Sequence, residues 1–286
     1  MNQSTTIVTA FFDIGRGDWN SSHGYSDRLE RTTDTYFNYF SKMAKLNNKM
    51  VVFTSSNFKE KILSIRRGKP THIITIDLHK KFKSVIKKIS TIQNSDSFKK
   101  LIKPEQLENP EYWSSEYVLV TNLKAYFVNK AVQLGLTNNE LIAWIDFGYI
   151  RKEKTLDGLT EWNHPFDKEK IHFFSIKNGL DLADKDGVMK KVIENDTYII
   201  GGVIVATKEK WTQLYHLATE VQKNFLSSGI IDDDQGIFLI CASKEPKLVK
   251  LHYLGYMEWF NVFRLFHESS KVNYLMRLAI LLRLKK

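Results

Sequence analysis

The sequence predicts an α/β fold in which a mostly parallel, Rossmann-like sheet is flanked by helices. Three apolar, β-rich runs alternate with helical patterns in the first part of the chain: Thr5–Phe11, Met50–Thr54 and His72–Ile76. Strands joined in series by helices usually pair in parallel through right-handed crossovers. Hydrophobic residues make up 43% of the 286 positions, enough for a substantial core. Because no repeat or low-complexity linker divides the chain, we expect one domain over residues 1–268.

The remaining elements follow from the spacing of the apolar residues. Apolar residues recur every three to four positions around Arg31–Leu46, which indicates a helix between the first two strands. The same spacing predicts a basic helix at Phe82–Ile92 and a longer helix at Ser115–Leu134. Further strands are predicted at Leu141–Asp146, Ile171–Ile176 and Thr197–Ala206, and further helices at Lys208–Leu226 and Asp234–Ala242.

Composition limits the class of protein. The 42 basic residues outnumber the 32 acidic ones and give a net charge of +10, which suggests polyanionic partners such as nucleotide phosphates, phosphorylated lipid or nucleic acid. The single cysteine, Cys241, excludes an internal disulfide framework and a multi-thiolate zinc site. The N-terminus lacks the features of a secretory signal, and the longest apolar stretch is Ile199–Ala206. Since a membrane span needs about 20 apolar residues, we expect a cytoplasmic protein.

The C-terminal segment, residues 269–286, combines basic and apolar residues and contains no acid. Such a composition fits an interfacial helix attracted to anionic lipid at the inner membrane. A terminal helix packed against the domain is the alternative. We therefore expect a basic helix here, with peripheral membrane contact as one of two interpretations.

Asp146 ends the apolar strand at Leu141–Asp146. In open parallel sheets, ligands bind at the edge formed by the carboxyl ends of the strands. A carboxylate at that edge can hold a ribose hydroxyl or a divalent metal that spans a diphosphate. Alternatively, it caps the turn that follows the strand.

Two later segments carry further candidate residues. Gly201 and Gly202 lie inside an apolar strand, where paired glycines allow close approach of a ligand or backbone, or mark a bulge. Asp232, Asp233 and Asp234 are consecutive, so their charges must be matched by a metal, a helix terminus or substrate hydroxyls. One of these acids can be a helix N-cap, and another can act as a general base.

The order of these features resembles the GT-A class of glycosyltransferases: a strand-end acid, a strand with two glycines, a helix and then an Asp-Gln pair. The chain is also similar to the bacterial HtrL/YibB-like family, which is associated with lipopolysaccharide and lipooligosaccharide synthesis. That similarity spans nearly the whole chain and rests on Thr6–Gly17, Trp144–Gly148, Gly201-Gly202, Asp234-Gln235 and Gly255–Phe260.

The resemblance implies a GT-A-like, hexosyltransferase-like enzyme that takes a nucleotide-sugar donor and a hydroxyl of a glycolipid or oligosaccharide acceptor. Thr9, Ala10 and Phe11 would line the nucleotide pocket. Arg28 or Arg31 would meet phosphate, since guanidinium groups suit bidentate phosphate contacts, although either is equally a surface charge.

The resemblance also implies roles for the acids. Asp146 would be the first Asp of the Asp-x-Asp motif, and Gly201-Gly202 would lie beside donor and acceptor. Asp234 would act as general base or orient the acceptor, with Gln235 positioning hydroxyls and Asp233 as the reserve base. We expect Asp146 and Asp234 to share one cleft at the carboxyl edge of the sheet.

Metal dependence stays open because Gly148 stands where the second Asp of the motif belongs. Asp146 would bind Mg²⁺ or Mn²⁺ with help from His252, or lysines and arginines would neutralise the leaving diphosphate instead.

Two rival functions remain at this point. A non-catalytic module that binds nucleotide-sugar or glycan is consistent with the missing second Asp. A metal-dependent nuclease would use the same acids and the basic surface, but it predicts carboxylates with His or Lys at short spacing, which the sequence lacks. We therefore expect no nucleic-acid partner.

Overall fold

The computed structural model describes residues 4–267 and residue 278. In this part of the chain seven strands form one sheet. The strands are β1 (Thr6–Phe11), β2 (Met50–Thr54), β3 (Thr71–Thr75), β4 (Leu141–Ile145), β5 (Ile171–Ser175), β6 (Ile199–Thr207) and β7 (Val249–Tyr253). Their spatial order is β3-β2-β1-β4-β6-β5-β7.

The sheet is mostly parallel. The pairs β1–β2, β2–β3, β1–β4 and β5–β7 are parallel, whereas β6 pairs antiparallel with both β4 and β5. Ile145, the last residue of β4, is therefore opposite Val203, the middle residue of β6. The reversal brings the beginning of β6 to the edge where β1 and β4 end.

Helices cover both faces of the sheet, and several begin at a side-chain cap. Thr32 and Thr207, for example, accept hydrogen bonds from the backbone N–H groups of Thr35 and Lys210. The α-helices are α1 (Thr33–Met43), α2 (Lys59–Ile65), α3 (Leu78–Gln93), α4 (Asp96–Lys99), α5 (Ser115–Asn122), α6 (Lys124–Gln133), α7 (Lys185–Ile193), α8 (Lys208–Ser227), α9 (Asp234–Lys244) and α10 (Val262–Leu265).

The alternation of side chains along β1 shows how the two faces are filled. Ile7 and Phe11 belong to the core that contains apolar residues of α1, α2 and α10. Val8 belongs to the opposite core, which contains apolar residues of α6, α7, α8 and α9. Since successive residues of a strand point to opposite faces, an apolar β1 is explained by burial on both sides.

The predicted α/β class and mostly parallel sheet are confirmed. The strand predicted at Met50–Thr54 has the observed bounds, and the other predicted strands agree to within two residues at each end. Residues 269–286, predicted as a basic helix, lie outside the described residues apart from Leu278. None of the helices in the described part is both long and apolar enough to cross a lipid bilayer.

The prediction of one continuous helix over Ser115–Leu134 is wrong. The backbone leaves the helical conformation at Leu123, with ψ of 0°, so α5 ends at Asn122 and α6 begins at Lys124. At this break, the amide of Gln222 in α8 donates to the Asn122 carbonyl at 2.8 Å. A contact with a distant helix therefore accompanies an interruption that local periodicity does not reveal.

Candidate active site

A cleft of about 290 Å³ opens at the carboxyl edge of β1 and β4. Its floor is formed by the ends of these strands and the start of β6, and its sides include residues of α1, the α5–α6 junction and the segment after β7. Most of the residues singled out in the sequence line it, namely Ala10, Phe11, Arg31, Asp146, Gly148, Gly201, Gly202, Asp234 and Gln235.

Asp146 is held at the edge of the sheet because it directly follows β4. Its backbone N–H donates to the Gly202 carbonyl at 2.9 Å, which extends the β4–β6 pairing. The indole Nε1 of Trp144 donates to its Oδ1 at 2.7 Å. The Asp146 side chain keeps 39% of its surface exposed. A ligand in the cleft can therefore contact this carboxylate directly.

Gly201 and Gly202 are required by side chains of the protein itself. A Cβ atom on Gly201 would lie 1.4 Å from Oδ2 of Asp234, which is a severe clash. A Cβ atom on Gly202 would lie 2.9 Å from the ring of Tyr149. The close approach inferred from the sequence therefore involves the Asp234 carboxylate and the Tyr149 ring.

The consecutive acids before and at the start of α9 have different surroundings. Asp233 is the N-cap of the helix, and its Oδ1 accepts the Gln235 N–H at 2.9 Å. Asp232 accepts the Asp233 N–H at 2.8 Å. Asp234 lines the cleft with 3% of its side chain exposed. Gln235 also lines the cleft, and its Oε1 accepts from the Thr197 hydroxyl at 2.8 Å.

Lys124 joins the two carboxylates of the cleft. Its Nζ lies 2.9 Å from Oδ1 of Asp146 and 2.9 Å from Oδ2 of Asp234. It also donates to the Gly201 carbonyl at 2.9 Å. These contacts use all three N–H donors of an ammonium group, and only 6% of the side chain is exposed. Lys124 therefore holds Asp146 and Asp234 together in the floor of the cleft.

The sequence analysis missed Lys124, although one signal was present. Lys124 follows Val120 by four residues and Tyr117 by seven, so it falls on the apolar face of the predicted helix. A lysine inside an apolar face needs a buried partner, because an unpaired buried charge is costly.

Burial shifts the pKa values of the charged groups in the floor. It raises the pKa of Asp234 to about 7, an effect opposed by Lys124 and reinforced by Asp233 and Asp146. Burial, with repulsion from Glu111, also raises the pKa of Asp233 to about 7. Burial lowers the pKa of Lys124, but Asp146 and Asp234 more than offset this, so its pKa lies above the ordinary value. The Lys124 ammonium therefore stays charged near neutral pH.

The other residues proposed to bind the nucleotide are divided between the cleft and other places. Thr9 is fully buried within β1 and is not among the described residues that line the cleft. Arg28 donates to Oδ1 of Asn109 at 2.8 Å and is also absent from that lining. Arg31 does line the cleft, and its guanidinium donates to the Arg28 carbonyl at 3.0 Å.

Arg31 has two arginine neighbours in the cleft wall that the sequence analysis did not identify. Arg16 donates from Nη1 to the Tyr36 hydroxyl at 2.7 Å, and its buried Nε has no hydrogen-bond partner within residues 4–267. Arg151 lies over the Phe260 ring, 4.8 Å from its centroid. Partial burial, followed by the positive charge of Arg31, lowers the pKa of Arg151. These three arginines, Arg16, Arg31 and Arg151, are called the arginine cluster below.

The structure does not bring His252 to Asp146. His252 lies in β7, where its Nε2 is 2.7 Å from Nδ1 of His172, and the cleft lining found within the described residues does not include it. Gly148 offers no ligand, and a Cβ atom there would lie 3.0 Å from the Tyr36 ring. Over the residues that the structure describes, no group of three His, Cys, Asp or Glu side chains is arranged to hold a metal ion.

Comparison with known proteins identifies relatives across most of the chain. The family model described as "Bacterial protein of unknown function (HtrL_YibB)" matches residues 3–268. The chain is 50% identical over 270 residues to Protein HtrL of Escherichia coli (strain K12), which covers 94% of this chain and 95% of that protein.

Two solved structures resemble the fold at low sequence identity. Mouse xyloside xylosyltransferase 1 in its apo form aligns with a TM-score of 0.40 and 10% identity, over 97% of this chain and 93% of that chain. The inositol-1-phosphate CTP transferase from T. maritima aligns with a TM-score of 0.41 and 12% identity, over 88% of this chain and 86% of that chain. At these TM-scores, neither structure assigns a function.

Proposed function

The chain belongs to the bacterial HtrL_YibB family, and we propose that it is a glycosyltransferase that uses a nucleotide-sugar donor. The acceptor is a hydroxyl of a glycolipid, such as lipooligosaccharide, or of a related oligosaccharide. One observation carries the proposal: Asp146 and Asp234 are joined by the Lys124 ammonium in a cleft at the carboxyl edge of the sheet. Such an arrangement supplies a base, a second carboxylate for substrate hydroxyls and a fixed positive charge.

The two carboxylates take different roles because their surroundings differ. Asp234 is nearly buried, and its pKa of about 7 suits a group that accepts a proton near neutral pH. Asp146 is more exposed and is free to accept hydrogen bonds from sugar or ribose hydroxyls. Lys124 favours the ionised form of Asp234, which is the form needed in a base. The higher exposure of Asp146 makes it the alternative base.

The reaction is a substitution at the anomeric carbon. The oxygen of the acceptor hydroxyl forms a bond to that carbon, and the bond from the carbon to the diphosphate oxygen breaks. The electron pair of the broken bond leaves with the nucleoside diphosphate. The proton of the acceptor hydroxyl passes to the Asp234 carboxylate, or to Asp146 if that residue is the base.

The experiment is a titration of the full chain with a panel of UDP- and GDP-sugars, followed by assay of donor consumption. A ligand that binds only the folded state raises the melting temperature, so one class of donor should do so. That donor should be hydrolysed slowly alone and faster with a lipooligosaccharide acceptor. Asp146→Asn should weaken donor binding, and Asp234→Asn should spare binding but remove turnover.

Asp186→Asn, which changes an exposed acid of α7, is the matched control and should leave binding and turnover unchanged. The proposal fails if no nucleotide-sugar raises the melting temperature or is consumed with acceptor present. Binding without turnover in the presence of acceptor would favour the non-catalytic module. Gly148 at the position of the second Asp is consistent with that alternative. Cleavage of nucleic acid, abolished by Asp146→Asn, would favour the nuclease.

A further inference from the structure

The cleft offers a divalent cation few of its usual ligands. Gly148 occupies the position of the second Asp of the motif, and a Cβ atom there would already lie 3.0 Å from the Tyr36 ring. Oδ1 of Asp146 already accepts from Trp144 and contacts Lys124. Carboxylate oxygens are the preferred protein ligands of Mg²⁺. The donor set therefore does not fit the metal that the Asp-x-Asp resemblance implies.

A fixed cation already lies between the acids of the cleft floor. The Lys124 ammonium contacts Asp146 and Asp234 at the same distance, 2.9 Å. A metal ion bridging these carboxylates would have to displace an ammonium that is almost fully buried and has all three donors engaged. The floor is therefore neutralised by the chain itself.

The arginine cluster lies in the wall of the same cleft, and its positive charge is not paired with any carboxylate of residues 4–267. Within residues 4–267, neither Arg16, Arg31 nor Arg151 forms an ion pair, because every ion pair found there involves a lysine or histidine. Asp13 also lines the cleft, but its carboxylate accepts from Gly15 N–H and the Thr33 hydroxyl.

An arginine cluster of this kind is suited to phosphate. Guanidinium groups bind phosphate oxygens through paired, charge-assisted hydrogen bonds and are weakly hydrated, which favours such contacts in a cleft. The buried Nε of Arg16 is a donor that has no acceptor among residues 4–267. Repulsion from Arg31 lowers the pKa of Arg151 beyond the effect of burial, and a bound polyanion would relieve that repulsion.

We infer that this cleft binds the diphosphate of its ligand without a divalent cation, with Arg16, Arg31 and Arg151 supplying the positive charge. The inference rests on the proposed function for the identity of the ligand as a nucleotide-sugar. The bond that breaks is then the one between the anomeric carbon and the diphosphate oxygen, and the guanidinium groups stabilise the negative charge that develops on the leaving group.

The test measures binding of inorganic pyrophosphate, UDP and GDP to the full chain by calorimetry, in EDTA and in Mn²⁺ or Mg²⁺. We expect pyrophosphate and one nucleoside diphosphate each to bind as tightly in EDTA as in Mn²⁺ or Mg²⁺. Arg16→Gln and Arg151→Gln should each weaken binding by about tenfold or more, since each removes a charge-assisted contact. Arg67→Gln, which changes an exposed arginine after α2, should bind as the wild type does.

Each other outcome contradicts the inference. If Mn²⁺ or Mg²⁺ raises diphosphate affinity at least tenfold and Asp146→Asn removes this gain, the site is a metal site. If a sugar phosphate monoester binds more tightly than pyrophosphate or either nucleotide, the arginines hold an acceptor phosphate instead. Metal-dependent sugar transfer would overturn the inference and leave the proposed function intact. Metal-free diphosphate binding without any sugar transfer would support the inference and contradict the proposed function.

Discussion

Gly201 and Asp234 illustrate how closely the cleft floor is packed at the scale of single residues. The Oδ2 atom of Asp234 lies where any side chain on Gly201 would begin, and the Gly201 carbonyl accepts from Lys124. The backbone of β6 at Gly201 is thus packed directly against the Asp234 side chain of α9. The position of the Asp234 carboxylate therefore depends on the absence of a side chain at Gly201.

We predict that Gly201→Ala displaces the Asp234 carboxylate, because the new Cβ atom and Oδ2 cannot both keep their positions. Overpacking of a filled interior costs about 1–3 kcal/mol, which chemical denaturation will measure. The loss of turnover should be larger than the loss of folded protein can explain. Gly229→Ala, at a positive-φ glycine with open space around it, is the control: it should lose stability and keep turnover. Wild-type turnover in Gly201→Ala would contradict the proposed role of Asp234.

We predict that kcat/KM rises with pH and levels off above about 7, because a general base must be ionised and the pKa of Asp234 is about 7. Asp234→Asn should lose this limb and about 10²–10⁴-fold in rate. Asp146→Asn should keep the limb at lower pH, because removal of a negative neighbour lowers the pKa of Asp234. A limb that disappears only in Asp146→Asn would identify Asp146 as the base.

The junction of α5 and α6 places Lys124 at the cleft floor. The helix stops at Leu123, and the next helix begins with Lys124 at the cleft floor. Asn122 also donates to the Asp232 carbonyl at 2.9 Å, which ties the end of α5 to the segment before α9. The junction therefore contacts the acids twice: through Lys124 itself and through the hydrogen bond from Asn122 to Asp232.

We predict that Lys124→Met destabilises the protein by about 3–5 kcal/mol at pH 8, because breaking a buried ion pair leaves carboxylates without a partner. The loss should shrink as pH falls below 7, where Asp234 becomes protonated and neutral. Urea unfolding at several pH values measures this. Lys130→Met, on the same helix, should change stability little at any pH. An equal loss at pH 5 and pH 8 would contradict a charge-based role.

The elements that the sequence predicted are those with a local signal. β2 was found with its observed bounds because all of its residues are buried and apolar or β-favouring. α2 and α7 were missed because each has fewer than three turns over which periodicity is visible. β7 was missed because it is a short, partly exposed edge strand that contains Lys250 and His252.

The candidate site was likewise predicted only where its residues have a local sequence pattern. Asp146 and Asp234 were identified because an acid after a strand and an acid at a helix start are local patterns, and both line the cleft. Lys124, Arg16 and Arg151 were not identified because their roles come from contacts between distant segments. The reversed direction of β6, which brings Gly201 to the edge, is likewise set by tertiary pairing.

At the scale of the whole molecule, the excess of positive charge is unevenly distributed. α3 exposes five lysines, at positions 80, 81, 83, 87 and 88, and α4 lies next in the chain with Lys99. The basic residues of segment 269–286 add to the excess. The proposed action on a glycolipid requires approach to an anionic bilayer, and we propose both regions for that contact.

We predict that the protein binds phosphatidylglycerol vesicles in a sedimentation assay and is released by salt, since each basic residue near the surface contributes about 1 kcal/mol. Changing the five α3 lysines to Gln should reduce binding if α3 is the contact, and deleting residues 269–286 should do so if the tail is. A control with the same charge change replaces Lys185, Lys190, Lys208, Lys223 and Lys247. Equal losses in all three variants would indicate only non-specific attraction.

The cleft is built from both ends of the described chain. Ala10 and Phe11 belong to β1, whereas Trp259 and Phe260 follow β7. During synthesis on the ribosome, the pocket therefore stays incomplete until residue 260 has emerged. A shorter nascent chain lacks one wall of the cleft, and a nonsense mutation anywhere before codon 259 has the same effect.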